Sequence, residues 1–209
     1  MSITYQQYKT LDDAFSFFNY KLFEGQLPEC MITLQRTTSK RTLGYYFPKR
    51  FENRDAHEKV DEIALNPDRF AGRNDTEILS TLVHEMVHLW CEIHGSASRD
   101  GYHNRAWGEK MEDVGLMPSN TGKPGGKKTG QQMTHWVIED GPFSVTCAQF
   151  VENGSIAYGS FPILKPKKPN SKLKYVCSGG CKQNCWAKPG VSLLCGLCGQ
   201  VMEVTEELA

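Results

Sequence analysis

The segment His84-Glu85-Met86-Val87-His88 lies inside residues 75–90, where Ile78, Leu82, Val83, Met86, Val87 and Trp90 spread apolar side chains round most of a helix. A helix apolar on so wide a face is buried. Two imidazoles and a carboxylate inside a buried helix are costly unless something satisfies them. Residues four apart lie on one helical face, one turn above each other. His84 and His88 can therefore grip one zinc ion at about 2.0–2.1 Å each. Glu85 then stands beside the metal, where a carboxylate can accept a proton from an attacking water. Five-residue H-E-x-x-H matches also arise by chance in ordinary helices, so the buried setting carries the metal reading. Asp75 and Thr76 are candidate N-caps, and Gly95 is a candidate stop.

A catalytic zinc needs a third protein ligand and an open position for water. His94 falls where the pattern H-E-x-x-H-x-x-G-x-x-H places its last histidine, but Cys91 stands where the turning glycine belongs, so His94 is expected to end the helix as a polar cap. Glu109 and Glu112, on a second helix over residues 105–114, would make a His-His-Glu site. His103 precedes that helix, where a side chain can be aimed at a neighbouring helix. Position alone leaves His103 and the two glutamates open.

The pair of segments His84-Glu85-Met86-Val87-His88 and Asp100-Gly101-Tyr102-His103-Asn104-Arg105-Ala106-Trp107 resembles the SprT-like family, which includes Spartan. In that family a short loop follows H-E-x-x-H, and a third zinc histidine lies in a G-H-G-x-x-F/W context. Tyr102 and Asn104 depart from the small residues that often flank that histidine. Upstream, Phe18-Asn19-Tyr20-Lys21-Leu22-Phe23-Glu24-Gly25-Gln26-Leu27-Pro28 resembles the family's F-N-x-x-L-F-x-G-x-L-P. Leu43-Gly44-Tyr45-Tyr46 and Ile63-Ala64-Leu65-Asn66-Pro67 resemble its next two strands. The resemblance spans most of residues 8–115 and implies that His103 is the third zinc ligand, with Glu85 the catalytic base of a protease.

Residue patterns agree with that fold. Leu11, Ala14, Phe15, Phe18 and Leu22 recur at helical spacing, predicting a helix over 11–23 with Thr10 as N-cap. Residues 31–35, 42–47 and 62–66 read as short strands. Helix, three strands, metal helix and further helix make an α+β arrangement, zincin-like, with helices packed on a small sheet.

Cys177, Cys181, Cys195 and Cys198 form two close pairs about one hairpin apart. Thiolates so spaced suit tetrahedral structural zinc. Cys185 is a fifth thiol. The run Cys181-Lys182-Gln183-Asn184-Cys185-Trp186-Ala187-Lys188-Pro189-Gly190 resembles the zinc ribbon of mobile-element SprT-like proteins, which implies Cys181 as the ligand and Cys185 as a spare. The competing reading is two disulfides. No signal-peptide pattern occupies Met1-Ser2-Ile3-Thr4-Tyr5-Gln6, and no apolar run approaches the roughly 20 residues of a membrane span. A cytoplasmic location without membrane partners is expected, and there thiols stay reduced, which favours zinc. Two zinc ions, one catalytic and one structural, are the expected cofactors. Cys30, Cys91 and Cys147 are isolated and read as ordinary core or surface thiols.

Net charge is zero, but it is unevenly spread. Residues 153–202 hold seven lysines and no acid, whereas residues 1–152 carry a net −4. Lys165, Lys167, Lys168, Lys172 and Lys174, with Trp186 near by, can meet nucleic acid through phosphate contacts and base stacking. The plain alternative is a solvated Lys/Pro linker. Spartan-type relatives are DNA-dependent, so the resemblance implies DNA, single-stranded or at a junction, as a partner beside a protein substrate.

The Gly/Lys-rich run at 118–130 fails the phosphate-loop pattern and reads as a mobile loop. Residues 134–138 and 143–147 read as strands or a hairpin about Asp140-Gly141-Pro142. His135 is expected on the surface or cleft wall, with substrate or oxyanion binding as its functional alternative. The expected organisation is a catalytic domain at 1–117, a loop and hairpin extension at 118–160, a Lys/Pro-rich linker at 161–174, and a zinc ribbon with acidic tail at 175–209. The expected activity is zinc-dependent peptide hydrolysis, and the competing class is a nucleic-acid-binding or regulatory module with structural zinc. An intact Glu85 argues against the latter, since a structural site needs no base.

Overall fold

Helix α1 (Ile3–Leu22) begins well before the apolar spacing predicts. Ser2 is its N-cap, accepting the Tyr5 N–H, while the Thr10 hydroxyl bonds back to the Gln6 carbonyl. The added turns expose Ile3, Tyr5 and Tyr8. Periodicity registers only a buried face, so it could not see them. This computed structural model describes residues 2–39, 41–152, 155–156, 158–160 and 171–205, with Asp100 as backbone only. Two units partition the chain, Met1–Pro162 and Ile163–Ala209.

In the first unit β1 (Met31–Leu34), β2 (Gly44–Glu52) and β3 (Lys59–Leu65) form a sheet in the order β1-β3-β2. β1 runs parallel to β3 and β2 antiparallel. β2 outruns its predicted end because Asp61 holds an irregularity between Phe47 and Phe51. Its carboxylate accepts from the Tyr46 hydroxyl at 2.6 Å and from the Lys49 N–H at 2.7 Å. Lys49 there takes φ 52°. Such an irregularity bends the strand and increases its twist.

Helix α2 (Asp75–Ile93) crosses the sheet, followed by α3 (Arg105–Asp113) and the antiparallel pair β4 (Leu116–Ser119) and β5 (Thr134–Val137). The hairpin reading fails at its second arm. Residues 143–147 lie in α4 (Pro142–Val151). Pro142 occupies the first helical turn, where its missing N–H costs nothing. Phe143, Thr146 and Cys147 are buried at helical spacing, whereas Val145, which a strand would set beside Phe143 and Cys147, is half exposed. Phe143 and Phe150 meet Phe18 of α1 at ring separations of 5.7 and 5.8 Å. The chain beyond α4 is tied down as well: Gln7 of α1 donates to the Tyr158 carbonyl and accepts the Tyr158 N–H.

In the second unit β6 (Leu173–Cys177), β7 (Asn184–Ala187), β8 (Leu193–Leu194) and β9 (Val201–Val204) form an antiparallel sheet in the order β7-β6-β9-β8. Its small core gathers Tyr175, Cys177, Cys195 and Met202. β6 starts before residue 175, so Lys174 is a strand residue rather than linker. Lys165, Lys167 and Lys168 lie outside the described residues, as does most of the expected linker. No helix among the described residues is long and apolar enough to cross a membrane.

Candidate metal centre

Asn74, not Asp75 or Thr76, caps α2. Its side chain accepts the Glu77 N–H, and the Glu77 carboxylate accepts the Asn74 N–H, both at 2.9 Å, a reciprocal capping box. Gly95, at φ +63°, follows the other end. His94 is the C-cap: its ring stacks on Trp90 and its Nδ1 lies 2.8 Å from the Trp90 carbonyl. Between these caps His84 and Glu85 are buried and His88 is partly buried.

His103 reaches the same point from before α3. A two-way backbone bridge to Gly130 fixes its main chain, and its Nδ1 lies 3.1 Å from the Gly130 carbonyl. A carbonyl only accepts, so Nδ1 carries the proton and Nε2 keeps a lone pair. That Nε2 stands 3.2 Å from Nε2 of His88. Asn104, one of the departures from the family pattern, caps α3 through the Trp107 N–H and donates to the Ser96 carbonyl at 2.7 Å. Trp107 itself is buried against all three rings, at centroid separations of 5.0, 5.6 and 4.4 Å from His84, His88 and His103.

His84, His88 and His103 offer ligand atoms that all lie within 4.8 Å of one another. Tetrahedral zinc with bonds of about 2.0–2.1 Å to nitrogen implies nitrogen–nitrogen edges of about 3.3–3.4 Å, close to the His88–His103 separation. Burial lowers the pKa of each ring: well below the usual range for His84 and to about 3 for His88. For His103 the hydrogen bond to Gly130 partly offsets the same effect. Neutral imidazoles are what a metal requires. Burial pushes the Glu85 carboxyl the other way, up to about 8, and a cation held by the three histidines would bring it back toward the carboxylate.

Glu85 faces a cleft of about 1070 Å³ whose lining includes Gly44, Tyr45, Tyr102 and the three histidines. A Cβ at Gly44 would stand 2.8 Å from the Ala64 carbonyl oxygen and 3.3 Å from Oε1 of Glu85, so only glycine lets β2 lie this close. Glu109 pairs with Arg105 at 2.7 Å and Glu112 with Lys128 at 2.9 Å, and neither joins the histidine group. His135 lines the cleft, its Nδ1 3.1 Å from Nδ1 of His84 and its Nε2 2.9 Å from Oγ of Ser80. Ser80 escaped the reading of the sequence, as did the supporting roles of Gly44 and Gly130. Only the H-x-x-x-[FW] spacing from His103 to Trp107 flagged a supporting residue.

The ribbon brings Cys177, Cys181, Cys195 and Cys198 together, their sulfurs also within 4.8 Å of one another. The separations are 3.3 Å for Cys177–Cys198, 3.4 Å for Cys181–Cys195 and 3.8 Å for Cys181–Cys198. A disulfide needs about 2.05 Å, whereas four thiolates round zinc at about 2.3 Å sit about 3.8 Å apart. The Leu197 and Cys198 N–H groups hold the Cys195 thiol down at about 6, whereas the neighbouring Cys181 and Cys198 sulfurs push the Cys177 thiol up to about 12. Cys185 stays outside the group, 3.9 Å from the Met202 sulfur. On the adjacent strands Lys174 lies over the Trp186 ring at 5.8 Å, and that ring is 60 % exposed. Lys172 is exposed as well.

A capped, buried helix that presents two histidines and a glutamate to a cleft, joined by a histidine from the next helix's start, is the metal-competent centre of a zincin-like fold. The chain belongs to the SprT-like family, whose model matches residues 11–128, more than half of it. The match includes all three histidines and stops short of His135 and the ribbon. The chain is also 52 % identical over 60 residues to an uncharacterised protein in the mucB 3′ region of Salmonella typhimurium, covering 29 % of this chain and 78 % of that one.

Proposed function

We propose that the chain is a zinc-dependent endopeptidase that hydrolyses proteins bound or crosslinked to DNA, in the cytoplasm, with one catalytic and one structural zinc. The observation that carries the proteolytic part is Glu85, buried at a cleft floor beside three converging histidines. His84, His88 and His103 would hold the catalytic ion, and the four ribbon thiolates the structural one. Bound there, zinc supplies Lewis acidity, polarising the scissile carbonyl and lowering the pKa of a water toward about 7. The Glu85 carboxylate accepts the water's proton as the oxygen–carbon bond forms. It returns that proton to the amine as the carbon–nitrogen bond breaks. Trp107 and the Gly130 carbonyl keep the rings from turning away. Support for DNA comes from the seven lysines and absent acids of residues 153–202 and from the exposed Trp186 ring.

The test is Glu85→Gln. The amide cannot take a proton, so this variant should keep two zinc equivalents by elemental analysis yet lose cleavage of a protein crosslinked to single-stranded DNA. Full activity of the variant would remove Glu85 from the chemistry.

A further inference from the structure

His135 lies outside the histidine group that can hold a metal, yet both of its ring nitrogens are engaged. The direction of those contacts can be worked out from their far end. The Ser80 hydroxyl lies 2.9 Å from the Glu77 carbonyl, which only accepts, so Ser80 donates there. Its oxygen is then free to accept from His135, and the proton of a neutral His135 ring sits on Nε2. Nδ1 of His135 is left with a lone pair and must accept from Nδ1–H of His84. With its proton on Nδ1, neutral His84 keeps its lone pair on Nε2, the nitrogen left to share a metal with His88 and His103.

We infer that His135, anchored by Ser80, is the positioning residue that sets the tautomer and ring orientation of His84 for metal binding. The inference rests on the three-histidine zinc site proposed above. It also replaces the substrate-binding alternative for His135, because neither ring nitrogen is left to reach a substrate. Gly130 does the same for His103 with a main-chain carbonyl. The two outer contacts therefore orient two of the three ligands from one stretch of chain, Gly130 near the end of the connection 120–133 and His135 just beyond it in β5. Groups that hydrogen-bond a metal-ligating histidine typically contribute about 10–100-fold to metal affinity.

Three full-length variants test this. His135→Phe keeps a ring and removes both nitrogens. His135→Asn places Oδ1 near the former Nδ1, where it can still accept from His84. Ser80→Ala removes the anchor alone. Zinc affinity of the histidine site is read by chelator competition, with thiolate-to-cobalt absorption reporting the ribbon separately. Long-range nitrogen–proton NMR of the imidazoles reads the His84 tautomer, and thermal unfolding of the metal-free proteins reads the fold. His135→Phe should bind zinc at the histidine site about 10–100-fold more weakly, with the ribbon unchanged and the metal-free protein still cooperatively folded, at a lower melting temperature because the buried His84 N–H loses its partner. His135→Asn should recover most of the loss, and Ser80→Ala should show a smaller one. Wild-type affinity and an unchanged His84 tautomer in His135→Phe would overturn the role of His135 and leave the zinc site standing. Two zinc equivalents retained in His84→Ala would overturn the site and the inference together.

Discussion

At the scale of single residues, the site depends on atoms that are absent as much as on those that bind. Gly44 has no side chain, and the space a Cβ would fill is already taken by the Ala64 carbonyl at 2.8 Å and Thr81 Cγ2 at 3.1 Å. A backbone oxygen cannot swing aside as a flexible side chain can, so β2 itself must move. Gly44→Ala should therefore destabilise by about 1–3 kcal/mol, the usual cost of overpacking, measured by urea unfolding. It should also displace Glu85, whose Oε1 lies 3.3 Å from the same point, and depress activity beyond what the lost stability explains. Wild-type stability and turnover in that variant would show that the strand has room to give. Nothing in the local sequence marks this glycine as different from Gly25 or Gly72, which have open space around them.

At the scale of elements, α2 carries the site and its start is the part most open to test. Asn74 and Glu77 satisfy each other's N–H groups, and Asp75 and Glu77 place negative charge in the first turn, where the helix dipole favours it. Asn74→Ala should cost about 0.5–2 kcal/mol, seen as a lowered melting temperature with zinc stoichiometry unchanged. A loss below the low end would mean that burial alone holds the helix. The H-E-x-x-H helix and its stop near Gly95 were legible because apolar spacing and a terminal glycine are local signals, although the N-cap is Asn74, one residue before the nearest candidate. α4 was misread because Phe143-Ser144-Val145-Thr146-Cys147 alternates like a strand, and only packing against Phe18 selects the helical face. The early turns of α1 were missed for the opposite reason: they are exposed and leave no pattern.

At the scale of the whole molecule, the chain joins a metal-site unit to a ribbon whose buried core is only a few side chains. So small a core needs a staple, and the four thiolates are the available one. Cys195→Ser should unfold the ribbon and release one zinc while leaving the first unit's melting transition in place. The charge asymmetry adds a binding prediction. A fragment ending at Pro162 keeps the Tyr158 and Ser160 contacts to the first unit and removes most of the lysine-rich stretch. It should keep the histidine-site zinc and lose most affinity for single-stranded DNA by fluorescence anisotropy. Full-length binding should fall steeply with salt as counterions are no longer released to advantage. Equal binding by fragment and full chain would end the DNA reading of the ribbon.

The sequence by itself determined what backbone geometry repeats locally. Residues four apart on a helix must share a face, so His84 and His88 were paired before any fold was known. Two cysteine pairs a hairpin apart were likewise already candidates for one metal. Composition placed the positive charge. Tertiary structure alone decided which distant groups meet those local ones. Spacing left His103, Glu109 and Glu112 open, and the resemblance pointed to His103 and Cys181; the tertiary structure brings those two into the groups and turns the Glu109 and Glu112 carboxylates toward Arg105 and Lys128. It also brought Gly130 and His135 to the outer nitrogens of His103 and His84. These contacts span up to 51 residues, and no local periodicity encodes them. They are set by the packing of α3, β4 and β5 beside α2, where a buried ring nitrogen without a partner would be too costly to leave.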